Sequence, residues 1–313
     1  MYQPYIRGKQ FELIGIRDLT STVLVPNIKK VSPIIEPVKD SSTLKTTLKM
    51  LVAGEVNFTV VINPQVGNFN NSDDILSVIK ECLGDYKNYQ VGIIFHKDIN
   101  HQTILNSLRS YSEIISSLSI IHNIEFENIR EVLASYSEQY KIKYNVLHLS
   151  LTGKRYFRNF QKETLIELDD YFNSQTKNAD YLKVDESDFS EEHLFYKEDG
   201  FEGFSDYLSI GEEYSESGFL PYAVAIHLSY AEKGTNKIKI KHFVSDSNDD
   251  TSDIGGKFEQ ALNKLIAWCD KTGYNSVAIP EFRNFHKNGH FPGLGTLKKL
   301  SLMNHIDLVL NLI

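Results

Sequence analysis

Short apolar runs rich in β-favouring residues recur along this chain with amphipathic segments between them, and that alternation admits few folds. The runs are residues 2–6 (YQPYI), 33–38 (PIIEPV), 58–63 (FTVVIN), 91–96 (VGIIFH), 119–123 (SIIHN), 146–151 (VLHLSL), 181–184 (YLKV) and 222–230 (YAVAIHLSY). A spacing of roughly 25 to 40 residues leaves room for one crossover helix per run, which parallel neighbours require. Between the runs lie helix starts: Ser41 and Ser42 before Leu44, Leu48 and Leu51, and Ser72 to Asp74 before Ile75, Leu76 and Ile79. Similar patterns predict helices over 100–111, 127–140, 162–172 and 204–214.

Eight strands with intervening helices predict an α/β fold, a (β/α)8 TIM-like barrel; its usual length of about 250 residues leaves room for an insertion and a tail. A doubly wound open sheet is the alternative, but no GxGxxG or Walker loop follows a first strand. The alternation breaks at residues 237–245 (KIKIKHFVS). They follow 222–230 after a short connection holding Gly234, too short for a crossover, so the pair reads as an antiparallel hairpin. Helices are predicted over 256–269 and after Pro292-Gly293. The expected organisation is a barrel over 1–230, with the hairpin strand and helices of 231–313 packed on the same domain.

Composition narrows the partners. With 41 acidic against 33 basic side chains, general attraction to nucleic acid is disfavoured. Cys82 and Cys269 stand alone, so neither a disulfide framework nor a zinc ribbon is supported. No apolar run approaches the roughly 20 residues that span a bilayer, and no signal peptide opens the chain, so a cytoplasmic protein without a membrane partner is expected. The cofactor is unknown, and no metal site is expected, since zinc ligands would have to come from several strands.

Barrel enzymes place their reactive groups at the carboxyl ends of the strands. Here those ends carry Arg7 and Lys9, Glu36 and Lys39, Asn63, His96, Ser150 with Arg155, Asp185 and His227. Glu36 stands out, because Pro33 and Pro37 bracket it at the tip of an apolar run. It reads equally as a general base or metal ligand and as a strand-end carboxylate paired with Arg7 or Lys39. Asn63 before Pro64 reads as a substrate contact or an Asx turn, and His96 as a proton carrier, a metal ligand or a core histidine. Lys154, Arg155 and Arg158 form a basic cluster suited to an anion. The stretch 185–221 interleaves Phe201, Phe204 and Tyr207 with acids such as Asp206, and reads as a lid or as a packed Ω-loop. The acidic run 243–253, with Asp246, reads as the N-cap region of the helix that follows.

The segments Tyr5-Ile-Arg-Gly-Lys-Gln-Phe-Glu-Leu13, Pro33-Ile-Ile-Glu-Pro-Val-Lys39, Asn63-Pro-Gln-Val-Gly67, Gly200-Phe-Glu-Gly-Phe-Ser-Asp-Tyr207 and His242-Phe-Val-Ser-Asp-Ser-Asn248 give the chain a resemblance over nearly its whole length. It resembles an uncharacterised bacterial family and, more distantly, the phage-associated beta protein family. The resemblance implies a defence or mobile-element setting without a mechanism, and adds weight to Lys9, Glu36, Lys39, Asn63, Asp206 and Asp246.

Two functions are expected. In the first, a hydrolase or lyase takes a phosphate-bearing small molecule or nucleic-acid end. Arg7, Lys9, Lys39 and Arg155 hold the anion, Glu36 or Asp185 is the base, and His96 or His227 the acid. In the second, a non-catalytic sensor or adaptor of a defence module uses Phe201, Phe204 and Tyr207 as a surface for a protein partner.

Overall fold

The structure, a computed structural model, describes residues 1–153, 155–215 and 220–313 and divides the chain into two compact units. The first comprises Met1–Asp169 and Glu192–Asp206, the second Asp170–Glu191 and Tyr207–Ile313. The barrel therefore ends at residue 206, not at 230.

The strands in chain order are β1 (Tyr5–Ile6), β2 (Ile34–Ile35), β3 (Phe58–Val61), β4 (Tyr89–Phe95), β5 (Ser117–His122), β6 (Lys141–His148), β7 (Leu165–Asp169), β8 (Glu186–Ser190), β9 (Gly203–Asp206), β10 (Ala225–Ala231) and β11 (Ile238–Val244). In the first unit β1 to β7 and then β9 lie side by side, every pair parallel. A parallel bridge from Tyr2 to Phe204 joins the last strand to the first, with Gln3 N donating to Phe204 O at 2.8 Å and Phe204 N to Met1 O at 2.9 Å. The sheet is thus a closed eight-stranded barrel of the TIM type.

The crossover helices are α1 (Gln10–Leu19), α2 (Ser42–Ala53), α3 (Ser72–Leu83), α4 (His101–Ser110) and α5 (Ile129–Ser137), and α2, α3 and α4 begin where capping chemistry puts them. Ser41, Asn71 and Asn100 accept from Leu44 N, Asp74 N and Thr103 N at 3.0–3.1 Å. Phe95 packs on His101 of α4 and Tyr136 of α5, so it faces the helix layer and its strand neighbours Gln90, Gly92 and Ile94 face inward. Register carries this across the sheet. Thr59 is level with Gln90, Gly92 with Ser119, and Tyr5 with Ile34, so all of these line the interior.

The second unit holds an antiparallel sheet in the order β10-β11-β8, with short α6 (Tyr181–Val184) and long α8 (Ile254–Thr272), α9 (Ile279–Asn288) and α10 (Leu294–Leu312); α7 (Glu192–Phe195) belongs to the first unit. The hairpin and the cap at Asp253, which accepts from Gly256 N at 3.0 Å, match the sequence reading. Among the described residues no helix is long and apolar enough to cross a membrane.

One predicted barrel strand is not a strand, one is a strand of the other sheet, and two barrel strands were unseen. Residues 181–184 are a helical turn, and 222–230 supplies β10 of the second sheet. The missing barrel strands are β7, where a helix was predicted, and β9. Leu165, Ile166, Glu167 and Leu168 are all buried, and a short strand covered on both faces has the same apolar pattern as a helix. In β9 the sequence GFSD has low strand propensity. It pairs because Gly203 lets the backbone reach residue 1: a Cβ there would overlap the Met1 carbonyl oxygen. Gly203→Ala is therefore expected to cost about 1–3 kcal/mol, read as an earlier urea midpoint by circular dichroism; an unchanged midpoint refutes the tight seam.

Candidate functional site at the carboxyl end of the barrel

The loops at the carboxyl ends of the strands are tied one to the next. Fully buried Glu36, just past β2, accepts from the Tyr5 hydroxyl at 2.7 Å and from Arg7 Nη1 on one oxygen, and from Gln65 N at 2.7 Å on the other. That carboxylate joins three strand ends. Arg7 N donates to Glu12 in α1 at 2.7 Å, and the guanidinium lies 5.6 Å from the Tyr5 ring centroid. Next, Asn63 clamps the β4 backbone: its Nδ2 donates to Ile94 O and its Oδ1 accepts from Ile94 N, both at 2.8 Å. Asn123 N donates to Phe95 O at 3.0 Å, and Gly153 N to Glu125 Oε1 at 2.6 Å. The Ser150 hydroxyl reaches both oxygens of Asp169 at 2.7 Å, and buried His148 Nδ1 lies 3.9 Å from Asp169 Oδ1. The chain of contacts runs from β1 to β7.

The ring borders a polar interior. Thr59 Oγ1, Gln90 Oε1, Ser119 Oγ and both amide atoms of Gln3 are buried without hydrogen-bond partners among the described residues, as is Asn123 Oδ1 at the β5 end. In an apolar core each such group would cost about 1–3 kcal/mol.

Of the residues predicted to carry function, Arg7 and Glu36 meet, and Asn63 stands beside them as a strand clamp. His96 ends β4 in a turn, its Nδ1 accepting from Asp98 N at 3.3 Å, and burial pushes its pKa down. Lys9 is the N-cap of α1, while Lys39 and Arg155 are exposed; Lys154 lies outside the described residues. Asp206 is buried on the outward face, accepting from the Tyr2 hydroxyl at 2.8 Å. Asp185, His227 and Asp246 belong to the second unit, where they meet Lys241, His242 and Lys264. They do not serve the barrel, because the strand assigned to His227 pairs in the other sheet and Asp185 ends α6. Sequence reasoning missed Asp169, hidden in a strand read as a helix, and passed over His148 as one more histidine in an apolar run.

No family model and no curated protein matches the chain. Among solved structures it is similar to a sialic acid aldolase of Ruminococcus gnavus (TM-score 0.38, 10% identity, 66% of this chain and 67% of that one). It is also similar to an N-acetylneuraminate lyase of Mycoplasma synoviae (TM-score 0.37, 11% identity, 66% and 68%). The barrel assignment here stands on strand order alone.

The expectation of a phosphate- or nucleic-acid-directed hydrolase or lyase in a defence setting is corrected at this point. The cations meant to cradle an anion do not form a cradle: Arg7 is committed to Glu36, and Lys39 and Arg155 are exposed. The adaptor surface fails as well, since Phe204 and Tyr207 are buried, Phe204 stacks on Tyr2 and Phe201 packs near Phe157. Residues 216–219 of that stretch lie outside the described residues. Among the described residues no group of three or more His, Cys, Asp or Glu is placed to hold a metal ion.

Two residues below Asp169, Glu167 is 2% exposed on the outward face. Burial pushes its carboxyl up to about 9, reinforced by the charge of Glu192, to which it is hydrogen-bonded, and by Asp199 and Asp169. The folded protein keeps this proton where the unfolded chain has released it. Stability therefore falls as pH rises from the ordinary carboxyl value toward 9, by up to about 1.4 kcal/mol per pH unit. Glu167→Gln is expected to flatten that fall and to be the more stable protein at pH 8 in urea titrations; parallel pH profiles for the two proteins would refute the assignment.

Proposed function

We propose that this chain is a cytoplasmic enzyme that moves a proton on a small, uncharged, hydroxylated substrate at the carboxyl end of its barrel. The observation that carries this reading is the Ser150–Asp169–His148 array at the tips of β6 and β7. Asp169 keeps 20% of its side chain exposed while a hydroxyl and a buried imidazole stand against it. A carboxylate so oriented can take a proton from a substrate hydroxyl or an acidified C–H, with Ser150 holding its rotamer. The Arg7–Glu36–Tyr5 cluster fixes the opposite part of the rim and acts by positioning. An uncharged substrate suits a rim whose half-buried guanidinium is neutralised by Glu36. Asp169, level with Asp206 and two residues past Glu167, is on the outward side of β7, so the substrate meets it over the strand tips, where its carboxylate and the Ser150 hydroxyl suit hydroxyl groups. The two cysteines are buried and unpaired, in keeping with a reducing compartment.

The test is interconversion of a panel of aldoses and ketoses, in which the proton taken from one carbon is returned to its neighbour, followed by proton NMR. The intact protein is expected to convert at least one compound. Asp169→Asn should lower kcat about 10²- to 10⁴-fold with its circular dichroism unchanged, and Ser150→Ala should have a smaller effect. Full activity in Asp169→Asn, or no conversion and no binding of any panel member by the intact protein, overturns the proposal.

A further inference from the structure

The second unit contains a cavity of about 420 Å³ that the barrel chemistry does not use. Its walls are mainly apolar and aromatic, with Phe172 and Tyr181 on one side and Leu297 on another. Lys298 is the one charged side chain among its described lining residues, and no carboxylate lines it. Among the described residues Lys298 makes no ion pair, and its charge is felt at His227 on the cavity wall.

Two features join Lys298 in favouring one negative charge, and a third supplies an aromatic wall. Leu294 and Gly295, the first two residues of the 19-residue helix α10, line the cavity, and no side chain caps that helix at Gly293. The Leu294 and Gly295 N–H groups and about half a positive charge therefore sit there, while Thr296 N donates to Gly293 O at 3.1 Å. Ser209, on the wall and only 1% exposed, has a hydroxyl without a hydrogen-bond partner among the described residues. A buried hydroxyl left in this way is costly unless a ligand meets it. Finally, His227 shares its Nδ1 with His242 Nδ1 at 2.8 Å, and His242 Nε2 bonds to the Ser187 hydroxyl at 3.1 Å, so the His227 ring is held in place with Nε2 as its remaining polar atom. Its ring centroid lies 5.2 Å from that of Phe172 and 4.6 Å from that of Tyr181, which makes an aromatic wall.

We infer that this cavity binds a small organic monoanion, a carboxylate carried on a flat apolar body. The carboxylate lies between Lys298, the start of α10 and Ser209, and the body lies against Phe172, Tyr181 and Leu297. One lysine and one helix end match a single charge better than a dianion. The volume suits a molecule of one or two rings. This inference does not rest on the barrel chemistry and survives its failure.

Isothermal titration calorimetry of the full chain with benzoate, 2-naphthoate, benzyl alcohol and inorganic phosphate tests it. 2-Naphthoate is expected to bind more tightly than benzoate, and both more tightly than benzyl alcohol. Lys298→Gln, at an exposed position, should weaken both carboxylates about tenfold or more and leave benzyl alcohol unchanged. Ser209→Ala should weaken the carboxylates by a smaller factor, and Ala225→Phe should fill the space and remove binding of all three aromatic probes. Equal affinity of Lys298→Gln for 2-naphthoate, phosphate competing as well as benzoate, or no binding of either carboxylate overturns the inference.

Discussion

The barrel depends on a seam of two backbone hydrogen bonds, Gln3 N to Phe204 O and Phe204 N to Met1 O, backed by the Tyr2 ring stacked on Phe204. About two hundred residues separate the two sides, so the ring closes only after the chain has left for the second unit at Asp170 and come back at Glu192. Contacts of such sequence separation carry a large loop-closure entropy and form late. The closing strand is also the one with least intrinsic preference to be a strand. Its Gly203 and Asp206 are poor β-formers, and what holds it is fit: no side chain at Gly203, and Asp206 under the Tyr2 hydroxyl. Closure in turn fixes the register around the ring, and register decides which side chains face inward.

That inward set gives the rim its character. Strand ends tied only by their ladders would splay, but here side-chain bonds link consecutive loops. Glu36 alone joins β1, β2 and the loop after β3. The loop after β3 then folds back over Val38, with Asn68 N donating to Val38 O at 2.7 Å. Gly67 makes the approach possible at φ 89°, where a Cβ would overlap the Val38 backbone. A site bounded by such ties holds its geometry before substrate arrives, so less of the binding energy goes into ordering side chains.

Much of this was legible in the sequence because parallel βα units impose a spacing and capping residues mark helix starts. Six of the eight barrel strands, the hairpin and the capped helices followed from those two rules. What failed did so for physical reasons. Alternation in 222–230 is the same whether a strand pairs parallel inside a barrel or antiparallel outside it, so His227 was placed at the wrong site. The run LIELD carries both a strand and a helix pattern, and reading it as a helix removed Asp169 from view. Glu36 was visible because two prolines bracket a carboxylate, yet its bonds to Tyr5 and Gln65 depend on register, which local sequence does not encode.

The exceptions to ordinary burial explain where chemistry sits. Both units bury their apolar residues as expected, and each also buries polar atoms that no hydrogen bond meets among the described residues. In the first, Gln3, Thr59, Gln90, Ser119 and Asn123 leave polar atoms without partners along the barrel interior. In the second, a paired imidazole, an orphaned hydroxyl and an unpaired ammonium group surround one cavity. Apolar residues at the same positions would stabilise both units, since an unmet polar group costs more than a filled one gains. Stability alone does not account for these polar groups. On the two proposals a ligand meets those that line the barrel and the cavity; His101 Nε2 and Glu167 Oε1, buried without partners among the described residues, lie outside both and keep that cost.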